Sequence, residues 1–289
     1  MPHPKIPMAA SRVGAVGFVE MPDPLIRLGT SAFTAAGWPG SFYPDGLKPA
    51  DYLSYYATQF DTVELDNTFY RTPSESTVRG WNAKTPPGFI FAAKVPQVIT
   101  HEKVLVDCEK ELAQFLKAMD LLGDKLGPLL FQFGYFNKLA FRSLTEFLTR
   151  LEPFLKRLPS GYRFALEVRN KAWVDARLAD VLRSRNVALA LVDHVWIPRP
   201  AEVFEKLDPV TADFAYIRWL GDRKGIEKRT KTWDRTIVDR SAELGEWVEV
   251  CNKIAGRGVP IFAYANNHYA GNGPATARLF QELRKGRTG

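Results

Sequence analysis

Two short segments bring together charged groups of the kind that move protons. TVELDNTF (62–69) carries Glu64 and Asp66, and RFALEVR (163–169) carries Glu167 and Arg169. A carboxylate can serve as general acid or base, and a nearby cation can steady negative charge that grows in a transition state. Lys94 in FIFAAKV (89–95) and Arg218 in FAYIRWL (214–220) are such cations. His101 follows KVPQVIT, and imidazole titrates close enough to neutrality to shuttle a proton. Glu64, Glu167, Lys94 and His101 are therefore the expected catalytic residues, with hydrolysis heading the expected reactions.

These residues form one site only if the elements that carry them converge. Short apolar runs alternate with amphipathic helical stretches, and the alternation repeats eight times. The expected strands are 26–33, 62–69, 89–95, 127–133, 163–169, 187–193, 214–220 and 259–267. The clearest helices are 50–59, 74–83, 107–121, 141–157, 172–185, 240–255 and 275–285. Such alternation means parallel strands with crossover helices, and eight units predict an α/β chain folded as a single TIM-type (β/α)8 barrel. The sixth unit is irregular, since 194–213 supports at most a short helix. Residues 1–22 read as a loose N-terminal arm and 23–289 as the barrel domain. GTSAFTAAG lacks the glycine spacing of a dinucleotide fingerprint and no GK[ST] phosphate loop occurs, which disfavours an open doubly wound sheet.

Side chains alternate faces along a strand, so the apolar set that meets the helices identifies the inward set. Val63 and Leu65 face outward and leave Glu64 and Asp66 inward; Phe164, Leu166 and Val168 do the same for Glu167 and Arg169. By the same parity Ser31, Lys94, Gln132, Asp193, Arg218, Tyr264 and Asn266 face inward near the tops of their strands. Barrel enzymes build their sites there. The competing reading is a self-satisfied ion network, Glu64 with Lys94 and Glu167 with Arg169. Just beyond the strands, Asn67, Tyr70, Asn267 and His268 complete the expected substrate contacts. Gly271 and Gly273 precede Pro274 at an expected helix start, where free amides can cradle an anion. Those glycines could equally do no more than shape a turn. Aromatic residues after the first, second and seventh strands, from Trp38 to Trp219, read as stacking surfaces or as a packed lid.

The 289 residues carry a net charge of +7, which favours anionic partners, and Arg218, Arg223, Lys224, Lys228, Arg229, Lys231 and Arg235 crowd one segment. Cys108 and Cys251 have no metal or disulfide spacing. No cofactor motif is present. Glu64, Glu167, Asp193 and His268 could assemble a divalent-metal site, although no compact ligand motif calls for one. No apolar run reaches the roughly 20 residues of a membrane span, so a cytoplasmic location and no membrane partner are expected.

The segments GTSAFTAAGWPGSFYP, FDTVELDNTFYRTPS, FAAKVPQVITH, FQF, LEVRNKAW and YANNHYAGNGPATA occur in this order from Gly29 to Ala277. In them the chain resembles the YecE-like family, domain of unknown function 72, over nearly its whole length. The resemblance implies a TIM-type barrel and no established activity. It implies recurrent residues at Glu64, Asn67, Lys94, His101, Gln132, Glu167, Arg169, Arg218 and Asn267. FQFGYF stands where the family tends to have a proline-rich turn, and RWLGDRKG where an arginine–histidine–glycine pattern is usual, so a different pocket rim is expected.

These features together predict an enzyme acting on a phosphorylated or otherwise anionic substrate, a sugar phosphate or nucleic acid, by carboxylate acid/base chemistry. Two alternatives stand beside it. One is a two-carboxylate glycosidase using Glu64 and Glu167; the other is a non-catalytic nucleic-acid binder using 218–235. The sequence leaves the oligomeric state open.

Overall fold

The computed structural model describes residues 25–288, and the expected N-terminal arm lies outside them. Eight parallel strands are present: β1 Ile26–Thr30, β2 Thr62–Leu65, β3 Ile90–Lys94, β4 Leu126–Gln132, β5 Phe164–Glu167, β6 Val187–His194, β7 Ala215–Gly221 and β8 Ile261–Ala265. Hydrogen-bonded neighbours run β1-β8-β7-β6-β5-β4-β3-β2, a (β/α)8 barrel closed except for one seam.

Two apolar clusters show how alternation builds it. Leu28, Val63, Leu65, Phe91, Phe131, Leu166, Leu191, Ile217 and Ile261 pack outward against the helices. Ile90, Ala92, Leu130, Ala165, Ala188, Ala190, Val192, Tyr216, Phe262 and Tyr264 fill the barrel. The interior is thus a solid plug, and polar residues reach solvent only at the strand ends.

The helices are α1 Tyr52–Gln59, α2 Glu75–Ala83, α3 Glu109–Met119, α4 Leu144–Arg157, α5 Ala176–Arg183, α6 Pro200–Lys206, α7 Arg223–Glu227, α8 Ser241–Ala255, α9 Asn267–Ala270 and α10 Gly273–Thr288. Several start where the sequence places a capping side chain: Ser74 accepts from Thr77 N, Ser143 from Glu146 N and Asp175 from Leu178 N. The connection after β6 carries only the seven-residue α6.

At the seam, β1 and β2 lie side by side without a ladder. Tyr56 of α1 takes its place: its hydroxyl accepts from Thr30 N at 2.8 Å and donates to Thr62 O at 3.2 Å. Asp61 adds a bond from Leu28 N and an ion pair with Arg27. Gly29 is required at this approach, because a Cβ there would stand 2.0 Å from Thr62 O.

The first two strands end earlier than their sequence patterns suggest, at Thr30 and Leu65, and Asn67–Phe69 form one tight helical turn. The aromatic run after β1 is a packed plug. Trp38, Phe42 and Tyr43 are buried, with Tyr43 stacked on Tyr52 at 4.1 Å and Phe42 against Tyr55, Tyr56 and Phe60. Trp219 points away from the barrel interior toward Trp247 and Phe280.

Candidate functional site

The interior end of β7 holds the central charge. Arg218, 1% exposed, lies between Glu64 of β2 and Glu167 of β5, both at 0%. Its Nη2 and Nε donate to Glu64 Oε1 at 2.7 and 3.2 Å, and its Nη1 donates to Glu167 Oε2 at 2.7 Å. Tyr216 donates its hydroxyl to Glu64 Oε2 at 2.6 Å, and Arg169 Nε donates to Glu167 Oε1. Every carboxylate oxygen of the two glutamates is therefore bonded. An ion in this position must be paired, since an isolated buried charge costs several kcal/mol.

The electrostatics follow. Burial pushes Glu64 and Glu167 up, but the neighbouring cations outweigh it. Arg218, Lys94 and the donated bonds hold Glu64 below the usual carboxylate range; Arg169 and Arg218 bring Glu167 down to about 2. Burial works against the charge on Arg218, and its two glutamates hold its pKa well above the usual value. Both glutamates are thus ionised, saturated and shut off from solvent, which does not suit proton exchange with a substrate. Arg218, bonded to both glutamates, lies between the two carboxylates that the glycosidase alternative would use on a substrate.

One layer closer to solvent the groups are reachable. Lys94 Nζ lies 2.7 Å from Asp66 Oδ1, with side-chain exposures of 12% and 33%, and Arg218 Nη2 lies 3.8 Å from the same oxygen. Burial raises the Asp66 pKa, the charge of Glu64 adds to this, and Lys94 and Arg218 offset it only in part. Arg169 is partly exposed. His101 sits in a helical turn, Val98–Glu102. Its Nδ1 meets Thr100 Oγ1 at 2.8 Å and its ring packs edge-on against Phe69. Burial and the charges of Lys94 and Arg169 lower its pKa, so it is neutral at neutral pH.

The remaining expected contacts divide. Gln132 donates to Phe133 O at 2.7 Å at the end of β4. Asn67 and Tyr70 stand exposed past β2, Tyr70 at 73%. Tyr264 lies beneath the mouth, its hydroxyl 2.9 Å from Thr62 Oγ1. Ser31 is buried just past the end of β1, its N–H on Ala265 O. Asn266 Oδ1 accepts from His268 N and faces His268 Nδ1 at 2.6 Å; His268 Nε2 meets Glu227 Oε1 at 3.0 Å. Burial lowers the His268 pKa despite the bond to Glu227.

Three expectations are corrected. Asp193 faces away from the barrel interior: its Oδ2 accepts from Trp247 Nε1 at 2.7 Å and Tyr269 OH at 2.8 Å. The inward parity of β6 belongs to Ala188, Ala190 and Val192. It therefore reaches the mouth at His194, whose pKa is lowered by burial and by Arg169. In the sequence His194 is a histidine just past a strand end, and the parity of Val192 is the signal that turns it inward in place of Asp193. Second, the amides of both glycines in the Gly271–Pro274 turn are already bonded within the chain, so they form no open cradle for an anion. Gly271 N bonds Asn267 O, Gly273 N bonds Asn267 Oδ1 and Ala275 N bonds Asn272 Oδ1, while Pro274 has no N–H. Gly271 instead ends α9 at φ 113, where a Cβ would lie 2.6 Å from Arg235 O. Third, Glu64, Glu167, Asp193 and His268 do not converge, and among the described residues no group of three or more His, Cys, Asp or Glu could hold a metal.

The basic segment is largely exposed, at Arg223, Lys224, Lys228, Arg229, Lys231 and Arg235, and part of it is paired. Arg218 is buried, Arg223 pairs with Glu227, Arg235 with Asp234, and Arg229 bonds Ile237 O. No helix among the described residues is long and apolar enough to cross a membrane.

A parallel barrel closed but for one seam, with ionisable groups gathered at the carboxyl ends of its strands, defines a TIM-barrel protein. The model described as protein of unknown function DUF72 matches residues 27–288. The chain belongs to that family. It is 30% identical to the UPF0759 protein YecE of Escherichia coli K12 over 118 residues, 41% of either chain, so the aligned part spans less than half of that relative. A DUF72 family protein from Thermotoga maritima MSB8 superposes with TM-score 0.70 at 27% identity, covering 90% of this chain and 99% of that one. One from Enterococcus faecalis V583 gives 0.66 at 22%, covering 90% and 95%. D-psicose 3-epimerase, at 11% identity and TM-score 0.52 over 91% and 97%, shares the fold.

Proposed function

We propose that this protein is an enzyme acting on a small anionic substrate of the sugar-phosphate kind at the C-terminal mouth of the barrel. Asp66 is the proton-transferring group, and Lys94 and Arg169 hold the negative charge. The observation that carries this reading is the Lys94–Asp66 pair. It joins a carboxylate that keeps a solvent-facing side to an ammonium 2.7 Å away, above glutamates that have no free oxygen. The raised pKa of Asp66 brings it toward the range in which a carboxyl both gives and takes a proton near neutrality. The acid/base role expected of Glu64 and Glu167 therefore passes to Asp66. The buried Glu64–Arg218–Glu167 bridge becomes the rigid floor that orients Arg169 and sets the local potential.

The test is a turnover screen of phosphate monoesters and sugar phosphates with the full chain, repeated with Asp66→Asn and Lys94→Met. Turnover lost by at least about a hundredfold in Asp66→Asn, with substrate still bound, supports the assignment. Equal turnover in wild type and Asp66→Asn refutes it. Binding of single-stranded oligonucleotide by wild type, unaffected by either substitution and with no turnover, would favour a non-catalytic nucleic-acid binder instead.

A further inference from the structure

We infer that the mouth contains a second, uncharged subsite at Ser31 that receives a substrate hydroxyl, so that the substrate is a phosphorylated polyol or sugar and not a bare anion. This inference rests on the proposed anion site.

Ser31 directly follows β1, and its N–H donates to Ala265 O at 3.1 Å, so the strand alternation continues through it. Arg27 and Gly29 are in register with Phe262 and Tyr264, both in the interior cluster. Ser31 is the next member of that inward series. It is 4% exposed, and its Oγ is bonded to none of the described residues. Gly29 lies against Thr62 across the seam, which brings Ser31 level with Glu64 two residues further along both strands.

The polar groups around it are already committed. Glu64 is taken by Arg218 and Tyr216, Tyr264 OH by Thr62, and Asn266 Oδ1 by His268. A buried hydroxyl without a partner destabilises a fold, so a hydroxyl kept at this position points to a partner arriving from the mouth. The mouth is also polarised. Lys94 and Arg169 stand on β3 and just past β5, with His101 between their fields, whereas Ser31, Asp66 and Asn266 occupy the ends of β1, β2 and β8. A ligand suited to both sides carries its charge toward β3–β5 and its hydroxyls toward β8–β1. A sugar phosphate has that polarity; inorganic phosphate and a simple alkyl phosphate do not.

Isothermal titration of the full chain with inorganic phosphate, ethyl phosphate, ribose 5-phosphate and fructose 6-phosphate tests this. In wild type at least one sugar phosphate binds about tenfold or more tightly than ethyl phosphate, the effect of one well-formed hydrogen bond. Ser31→Ala and Ser31→Gly remove that advantage, leave ethyl phosphate binding unchanged and do not lower the melting temperature. Three results overturn the Ser31 subsite while leaving the anion site standing. They are sugar phosphates binding no better than ethyl phosphate, Ser31→Ala weakening all phosphates alike, and both Ser31 variants melting below wild type. Absence of binding by every phosphate in wild type refutes the anion site itself, and the Ser31 subsite with it.

Discussion

Glu167→Gln removes a charge from a position where both carboxylate oxygens accept from guanidinium groups. The carboxyl has its pKa lowered from 4.5 to about 2 on folding, which corresponds to about 3 kcal/mol of stability at neutral pH. Because the folded value is the lower one, the unfolded chain binds more protons between the two values. The contribution is complete above about pH 5 and is lost as pH falls toward 2, with about 2 kcal/mol of it gone by about pH 3. Glutamine keeps the shape but does not titrate. Urea unfolding of both proteins from about pH 7 to 3 measures the difference directly. The variant should be about 3 kcal/mol less stable at neutral pH, and the gap should narrow to about 1 kcal/mol by about pH 3. Glu64, also lowered, is present in both proteins and largely cancels from the difference. A gap that stays constant with pH would refute the claim that Glu167 contributes as an ionised partner of Arg169 and Arg218.

The seam, the outward face of β6 and the last turn each yield a further test. Tyr56→Phe deletes the hydroxyl that joins Thr30 N to Thr62 O; two buried backbone groups lose a partner, and urea unfolding should show a loss of about 2–3 kcal/mol. Asp193→Ala strands the Trp247 indole and the Tyr269 hydroxyl, so stability should fall by about 2–4 kcal/mol while phosphate affinity stays at the wild-type level. Gly271→Ala places a Cβ 2.6 Å from Arg235 O at φ 113; the melting temperature should drop by several degrees, at about 2–4 °C per kcal/mol for a domain of this size.

The barrel was legible because each apolar set repeats on one period, and the inward carboxylates of β2 and β5 stood out against Val63, Leu65, Phe164 and Leu166. Parity failed on β6 for a physical reason. ALALV is apolar on both faces, so nothing in the strand itself says which way Asp193 turns. The decision is made by Trp247 and Tyr269, some 54 and 76 residues away in sequence. The exchange of ion partners was hidden for a similar reason. The ion-network reading paired Glu64 with Lys94, but Arg218 enters from β7 with a fork long enough to satisfy both glutamates, which sends Lys94 to Asp66. Of the two readings of the Gly271–Pro274 turn, the plain turn had a signal in the sequence. Asn272 directly before Gly273 and Pro274 is the signature of a helix that caps its own amides. The seam clip by Tyr56 left no trace in periodicity, since α1 reads as an ordinary amphipathic helix with or without that hydroxyl.

The most direct test of the central claim is a crystal structure of the full chain with inorganic phosphate. Density for the anion between Lys94 and Arg169, at hydrogen-bond distance from both and beside Asp66, is the predicted result. An anion seated at the Gly271–Pro274 turn, or a mouth without phosphate while wild type binds it in solution, would contradict the placement of the site.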